Sequence, residues 1–232
     1  MRIAVTRPED DAGPLLAKLK ALGHQAIAAP MMTIKPRLGV SIPALGFQAI
    51  AVTSANGIRA LRQPERLKSL RILTVGPQSL EAALALGFRA EAQGGDVNGL
   101  AAFIRSGLDP ADGPILYLSG AETAGDLEAQ IKAAGFGCYR AVLYDAIPAQ
   151  SLGDAGLLLR SGTLDAALLY SPRTARIWHQ LVSVAGLQQA ATGILHLCLS
   201  RNVAAVLPEA WKTATAASPG ETAMLALLEH CR

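Results

Sequence analysis

Short apolar runs alternate with amphipathic stretches along almost the whole chain. Runs such as Ile3-Ala4-Val5, Ala49-Ile50-Ala51-Val52 and Ala166-Ala167-Leu168-Leu169 carry no polar interruption, the pattern of strands covered on both faces. Between them lie stretches such as LLAKLKAL at 15–22, with apolar residues at helical spacing. Strands are predicted at 2–6, 26–28, 48–53, 71–75, 88–91, 114–118, 137–144, 166–170, 195–199 and 212–216, with helices after most of them. Gly23, Gly87 and Gly135 each follow an amphipathic run and precede a strand, the place of a helix C-cap. Such an alternation predicts an α/β fold with doubly wound parallel sheets. Two segments, 31–42 and 141–151, break the rhythm, and Pro36, Pro43 and Pro148 keep them extended.

The pattern also repeats itself. Ala12, Gly13, Leu15, Lys20, Ala21 and Gly23 return 112 positions later as Ala124, Gly125, Leu127, Lys132, Ala133 and Gly135. Residues 49–61 match 166–178 at a spacing of 117, and 75–104 match 199–228 at 124. Loop insertions account for the drift. The repeat predicts two similar, pseudo-symmetric lobes facing a groove that could bind a sizeable ligand.

Composition narrows the class. With 51% hydrophobic but only 4% aromatic residues, the core must be built from Ala, Leu, Val and Ile. No apolar run reaches the ~18 residues of a membrane span, and MRIAVTRPEDD turns polar after one short strand, unlike a signal peptide; a cytoplasmic location is expected. Cys138, Cys198 and Cys231 are odd in number and lack C-x-x-C spacing, so free thiols are expected rather than disulfides or zinc. His24, His179, His196 and His230 show no metal spacing. A net charge of +3 is spread without a basic stripe, which argues against nucleic acid and fits an anionic small molecule.

Candidate chemistry sits at the strand-to-helix turns: Thr6-Arg7, Thr53-Ser54-Ala55-Asn56, Gly76 through Ser79, Ser119-Gly120, Ser171-Pro172-Arg173 and Ser200-Arg201-Asn202. Ligands of open α/β sheets bind at strand carboxyl ends, where helix N-termini offer free N–H groups and Ser, Thr and Arg add donors. Each hydroxyl could equally cap its own helix, and Arg7 and Arg173 could equally be solvated. Walker and G-x-G-x-x-G fingerprints are missing; Gly94 and Gly99 have the outer spacing, but Asp96 stands at the middle glycine and would repel a pyrophosphate. No G-x-S-x-G elbow is present.

Val5-Thr6-Arg7-Pro8, Pro30, Ala51 through Gly57, Val75-Gly76, Val142-Leu143-Tyr144, Tyr170-Ser171-Pro172 and the terminal Ala217-Ser218-Pro219 with Leu225 to Leu228 together resemble the uroporphyrinogen-III synthase family, in order and over nearly the whole chain. The resemblance implies two lobes joined by a two-stranded linker: residues 1–33 with 149–232, and 39–140, with 34–38 and 141–148 as linkers. It further implies a cofactor-free, metal-free lyase of tetrapyrrole (heme) biosynthesis, expected as a monomer, that closes hydroxymethylbilane, a linear tetrapyrrole with eight carboxylates, into a ring while inverting the last pyrrole. Tyr144 matches the family's linker tyrosine and is the expected acid toward the departing hydroxyl, or else a packing residue. Substrate contacts are expected from Thr6, Arg7, Thr53, Ser54, Ala55, Asn56, Gly76, Ser79, Ser119, Gly120, Ser171, Pro172, Arg173, Ser200 and Asn202. The family's Gly-x-x-Thr-Ala turn is kept in part by Gly76 and Ser79, while the second copy has Ser200 for glycine and Val203 for the hydroxyl. A non-catalytic bilobal binder of a small polyanion is the competing reading.

Overall fold

The computed structural model describes every residue except Gly94, Ala124, Pro219, Cys231 and Arg232, so the outer glycine of the Gly94/Gly99 spacing, the Ala124 of the repeat, the Pro219 of the C-terminal motif and the third cysteine lie outside the described residues. The chain divides into two units, Met1–Thr33 with Ile147–Arg232, and Ile34–Ala146.

In the first unit the strands are β1 (Arg2–Val5), β2 (Gln25–Ala28), β9 (Ala166–Leu169), β10 (Leu195–Cys198) and β11 (Lys212–Thr215). In the second they are β4 (Ala49–Val52), β5 (Arg71–Thr74), β6 (Arg89–Ala92) and β7 (Ile115–Gly120). Two more, β3 (Met32–Pro36) and β8 (Cys138–Pro148), run across the points where the chain passes from one unit to the other. Among the described residues the sheets have the orders β11-β10-β9-β1-β2 and β6-β5-β4-β7-β8-β3. Substituting each strand by its partner in the internal repeat turns the first order into the first five strands of the second. The repeat is thus a repeat of winding, and every pairing among those five strands is parallel in both sheets.

The apolar runs work as expected of two-faced strands. Ile50 and Val52 face one cluster with Ile72, Leu116 and Leu118, while Ala49 and Ala51 face the other with Leu73, Ile115 and Tyr117. Helices cover both faces. In the second unit α2 (Ala55–Arg59) and α3 (Pro77–Ala85) supply Ile58 and Ala83 to the first cluster; α4 (Val97–Gly107) and α5 (Leu127–Ala133) supply Leu100, Ile104, Leu127 and Ile131 to the second. In the first unit α1 (Glu9–Ala21) and α10 (Glu221–His230) bury Leu15, Leu19, Met224 and Leu228 on one face. The opposite face holds α6 (Asp154–Arg160), α7 (Pro172–Val184), α8 (Gln188–Ala191) and α9 (Arg201–Ala204), centred on Trp178. Strand order therefore reverses between β1 and β9, and between β7 and β4, where successive helices leave to opposite faces. These are the topological switch points at which such sheets bind ligands.

Gly23, Gly87 and Gly135 end their helices at φ of 81°, 77° and 88°, a region an L side chain enters at a cost. Of the two segments expected to be extended, 32–36 and 141–148 form strands, while 37–42 and 149–151 do not. Residues 34–36 belong to β3, and residues 141–148 are the second half of β8 rather than a separate connection. Arg37 N–H donates to the Leu143 carbonyl at 2.7 Å and Ala149 N–H to the Met31 carbonyl at 3.0 Å; one number rises as the other falls, so this pair is antiparallel.

Candidate active site

At the switch point of the second unit, Thr53 and Ser54 follow β4, and Ser119 and Gly120 close β7. Thr53 Oγ1 and the Tyr117 hydroxyl lie 3.2 Å apart. Burial pushes the Tyr117 phenol above its ordinary value, opposed first by the hydrogen bond with Thr53. Ser54 caps α2, its Oγ accepting from Asn56 N–H at 3.3 Å. Asn56 is buried and its Oδ1 accepts from Arg59 at 3.1 Å. Ala55 is buried at the first turn of that helix. Gly76 precedes α3 without a side-chain cap, its carbonyl accepting from Thr74 Oγ1 at 3.3 Å, and Ser79 is buried in the first turn.

The sequence reading missed Arg140. It lies on β8, half-buried, and its Nε donates to Ser119 Oγ at 2.8 Å while one Nη donates to the carbonyls of Gly120 and Ala121 at 2.9 and 2.8 Å. Among the described residues it has no carboxylate partner. A charged residue inside a strand of an otherwise apolar, doubly covered sheet was the available signal.

Tyr144 stands beside this cluster. The β7/β8 register runs Ser119 to Val142 and then Gly120 to Tyr144, so Leu143 is an extra residue, a bulge. In a regular strand Leu143 and Tyr144 would face opposite sides; here both join one cluster with Leu118. The residue is only 7% exposed. Its carbonyl accepts from Ala121 N–H at 2.9 Å, and its hydroxyl has no hydrogen-bond partner among the described residues.

In the first unit the equivalent turns follow β1, β9 and β10. Thr6 is fully buried and donates its hydroxyl to the Leu168 carbonyl. Arg7, expected to be solvated or to meet substrate, is 7% exposed. It pairs with Glu221 at 3.2 Å and Asp11 at 3.4 Å, and its guanidinium carbon lies 4.8 Å from the centre of the Tyr170 ring. Ser171 caps α7, accepting from Thr174 N–H at 3.1 Å and sharing a 2.8 Å hydroxyl contact with Thr174 Oγ1; Pro172 is the first helical residue and Arg173 follows, half-buried. Ser200 stands at the N-cap of the short α9 but makes no side-chain cap, Asn202 is exposed, and Val203 is buried in the core. The position expected to carry a hydroxyl therefore packs instead. Asp96 caps α4, accepting from Gly99 N–H at 2.8 Å. Of the remaining candidates, Cys198 is buried and Cys138 half-buried as free thiols, raised to about 12 and about 11 mainly by burial. No group of His, Cys, Asp and Glu among the described residues has the arrangement of a metal site.

Each unit thus gathers its hydroxyl-bearing turns at one edge of its sheet. Fold and edge define a class: an α/β protein of two like-wound units, with hydroxyl and backbone donors at the strand carboxyl ends and no nucleotide fingerprint. Residues 14–226 match the family described as uroporphyrinogen-III synthase HemD. A uroporphyrinogen-III synthase of Chlorobaculum parvum is 26% identical over 201 residues, 78% of this chain and 78% of that one. Among solved structures, uroporphyrinogen-III synthetase from Helicobacter pylori superposes with a TM-score of 0.70 at 14% identity over 100% of both chains. A mutant uroporphyrinogen III synthase from Thermus thermophilus gives 0.59 at 16% identity over 100% of this chain and 97% of that one. The chain belongs to the uroporphyrinogen-III synthase family.

Proposed function

We propose that this chain is a lyase of tetrapyrrole biosynthesis that converts hydroxymethylbilane to uroporphyrinogen III with loss of one water. The match to the family over residues 14–226 carries this reading and favours catalysis over mere binding of a polyanion. Pyrrole nitrogen lone pairs expel the hydroxyl, leaving an electrophilic methylene carbon. The substituted carbon of the last ring attacks it to give a spiro centre, which fragments and recloses with that ring inverted. The driving force lies in the substrate, so the protein's part is to hold the chain folded and to assist departure of the hydroxyl.

We assign that assistance to Tyr144, whose phenol, unpartnered among the described residues, can donate to the leaving oxygen. Carboxylates are held, on this reading, by backbone N–H groups and hydroxyls at Ser54, Gly76, Ser79, Ser119, Ser171 and Ser200. Thr6 and Arg7 support that edge from behind, since their polar groups are already committed within their unit.

The test is incubation with freshly generated hydroxymethylbilane and isomer analysis of the oxidised product. The inverted isomer in excess over an enzyme-free control is expected. Product identical to that control sinks the assignment.

A further inference from the structure

We infer that Gly120 and Arg140 are positioning residues for the Tyr144 phenol, a role that rests on the assignment of Tyr144 above. A Cβ built on Gly120 would stand 2.7 Å from Cε2 and Cζ of the Tyr144 ring and 3.1 Å from its hydroxyl oxygen. Real Cβ atoms do not come so close, so the ring lies in a seat that only glycine leaves open. The ring is buried among Leu118, Ala141 and Leu143 and is not a loose tip that could swing aside freely. The seat is set at the bulge, which brings Tyr144 opposite Gly120 in place of Leu143.

What fixes Gly120 itself is visible on both sides. From one side the Arg140 fork holds Ser119 Oγ and the carbonyls of Gly120 and Ala121. From the other, Ala121 N–H donates to the Tyr144 carbonyl. The seat and the Tyr144 backbone are therefore one hydrogen-bonded assembly, while the ring itself is held by packing. A planar guanidinium can span three oxygens at once, whereas a lysine ammonium on its single stem cannot reproduce that fork. Arg140 acts through Gly120 on Tyr144 and is not itself placed against the reacting atoms.

The experiment compares Gly120→Ala, Arg140→Lys, Arg140→Met, Tyr144→Phe and the Gly120→Ala/Tyr144→Phe double variant. For each, kcat and KM for hydroxymethylbilane are measured, with thermal midpoints to confirm folding and a crystal structure of Gly120→Ala. Displacement of the ring by roughly 1 Å is expected, a misplacement worth about 100-fold in rate, in kcat with KM little changed. Tyr144→Phe is expected to lose about 10- to 100-fold. Because both changes disable one phenol, the double variant should be no more than about three-fold below the worse single one. Arg140→Lys should recover part of the kcat that Arg140→Met loses.

A normal kcat in Gly120→Ala, an unmoved ring, or a double variant that multiplies the two losses overturns the seat while leaving Tyr144 as donor. Should Gly120→Ala fail to fold, equal kcat in wild type and Arg140→Met overturns it. Tyr144→Phe at wild-type rate instead removes the donor role, and any positioning role with it.

Discussion

His196 offers the sharpest test of the packing of the first unit. It lies on β10 at 0% exposure, stacked 4.6 Å from the Trp211 ring and edge-on to Trp178 at 6.3 Å. Nδ1 stands 3.3 Å from the Lys212 carbonyl; a carbonyl can only accept, so Nδ1 carries the proton and Nε2 is a bare lone pair. Nε2 has no partner. Protonating it would place a charge where no acceptor waits, and burial accordingly lowers the imidazole from 6.5 to about 4, against the smaller opposing effect of the Lys212 bond. The folded form resists a proton that the unfolded chain takes up. Stability from this group is therefore full above the unfolded value and is lost as pH falls from about 6.5 toward about 4. Between pH 7 and pH 5 the loss amounts to about 2 kcal/mol. Urea unfolding at both pH values, followed by tryptophan fluorescence, reads this unit directly, because Trp178 and Trp211 both pack in its core. His196→Phe keeps a ring against Trp211 and cannot titrate. The wild type should lose about 2 kcal/mol more than this variant over the interval. Equal losses would mean that the imidazole is free to charge in the fold and that the reasoning from burial is wrong.

Three other outcomes are expected. Ser54→Ala and Ser171→Ala each remove one donor among many, so the dissociation constant for product should rise by less than about 100-fold; Ser54→Glu and Ser171→Glu add repulsion toward carboxylates and should cost more, and glutamate variants that bind like wild type would refute the donor edge. Thr6→Val deletes the hydroxyl buried against the Leu168 carbonyl and should lower unfolding stability by about 1–3 kcal/mol, measured in urea; no change would show that bond to be idle. Asp96→Ala removes the cap of α4 and should cost about 1 kcal/mol, with an unchanged unfolding midpoint as the contrary result.

Most strand positions were legible because a doubly covered strand must be apolar on both faces, and such runs at 49–52 and 166–169 have no other use in a chain this poor in aromatics. The repeat announced the winding, which depends on pattern and not on exact residues. The pairing of β3 with β8 was less legible, since proline-flanked extended segments look alike whether or not they hydrogen-bond. Arg140 was missed for a similar reason: its importance lies in three oxygens across the β7/β8 ladder, and no spacing along the chain encodes that. The bulge is invisible for the same cause, because one extra residue shows only when the partner strand is known. Val203 was legible as a departure from its counterpart turn, where Ser79 keeps the hydroxyl, but where its side chain goes was not. In α9 that position packs in the Trp178 core, where an apolar side chain needs no hydrogen-bond partner.

The two edges share a winding and differ in how their arginines are paired. At the end of β1 the guanidinium of Arg7 meets two carboxylates and an aromatic face, so little positive potential is left for a ligand. At the end of β7 the guanidinium of Arg140 meets neutral oxygens, and among the described residues no carboxylate pairs with it. Arg7→Met should therefore be felt chiefly as instability: Glu221 and Asp11 lose a common partner, and β1 loses its tie to α10. With the pair 7% and 20% exposed at Arg7 and Glu221, the cost lies between that of surface and buried pairs, about 1–3 kcal/mol. Urea unfolding of Arg7→Met, of Glu221→Gln and of the double variant measures it. The double variant should be more stable than the sum of the two losses implies, because removing both partners leaves one fewer unmatched charge. Strict additivity would show that the two side chains do not feel each other, and the contrast in pairing between the edges would lose its basis.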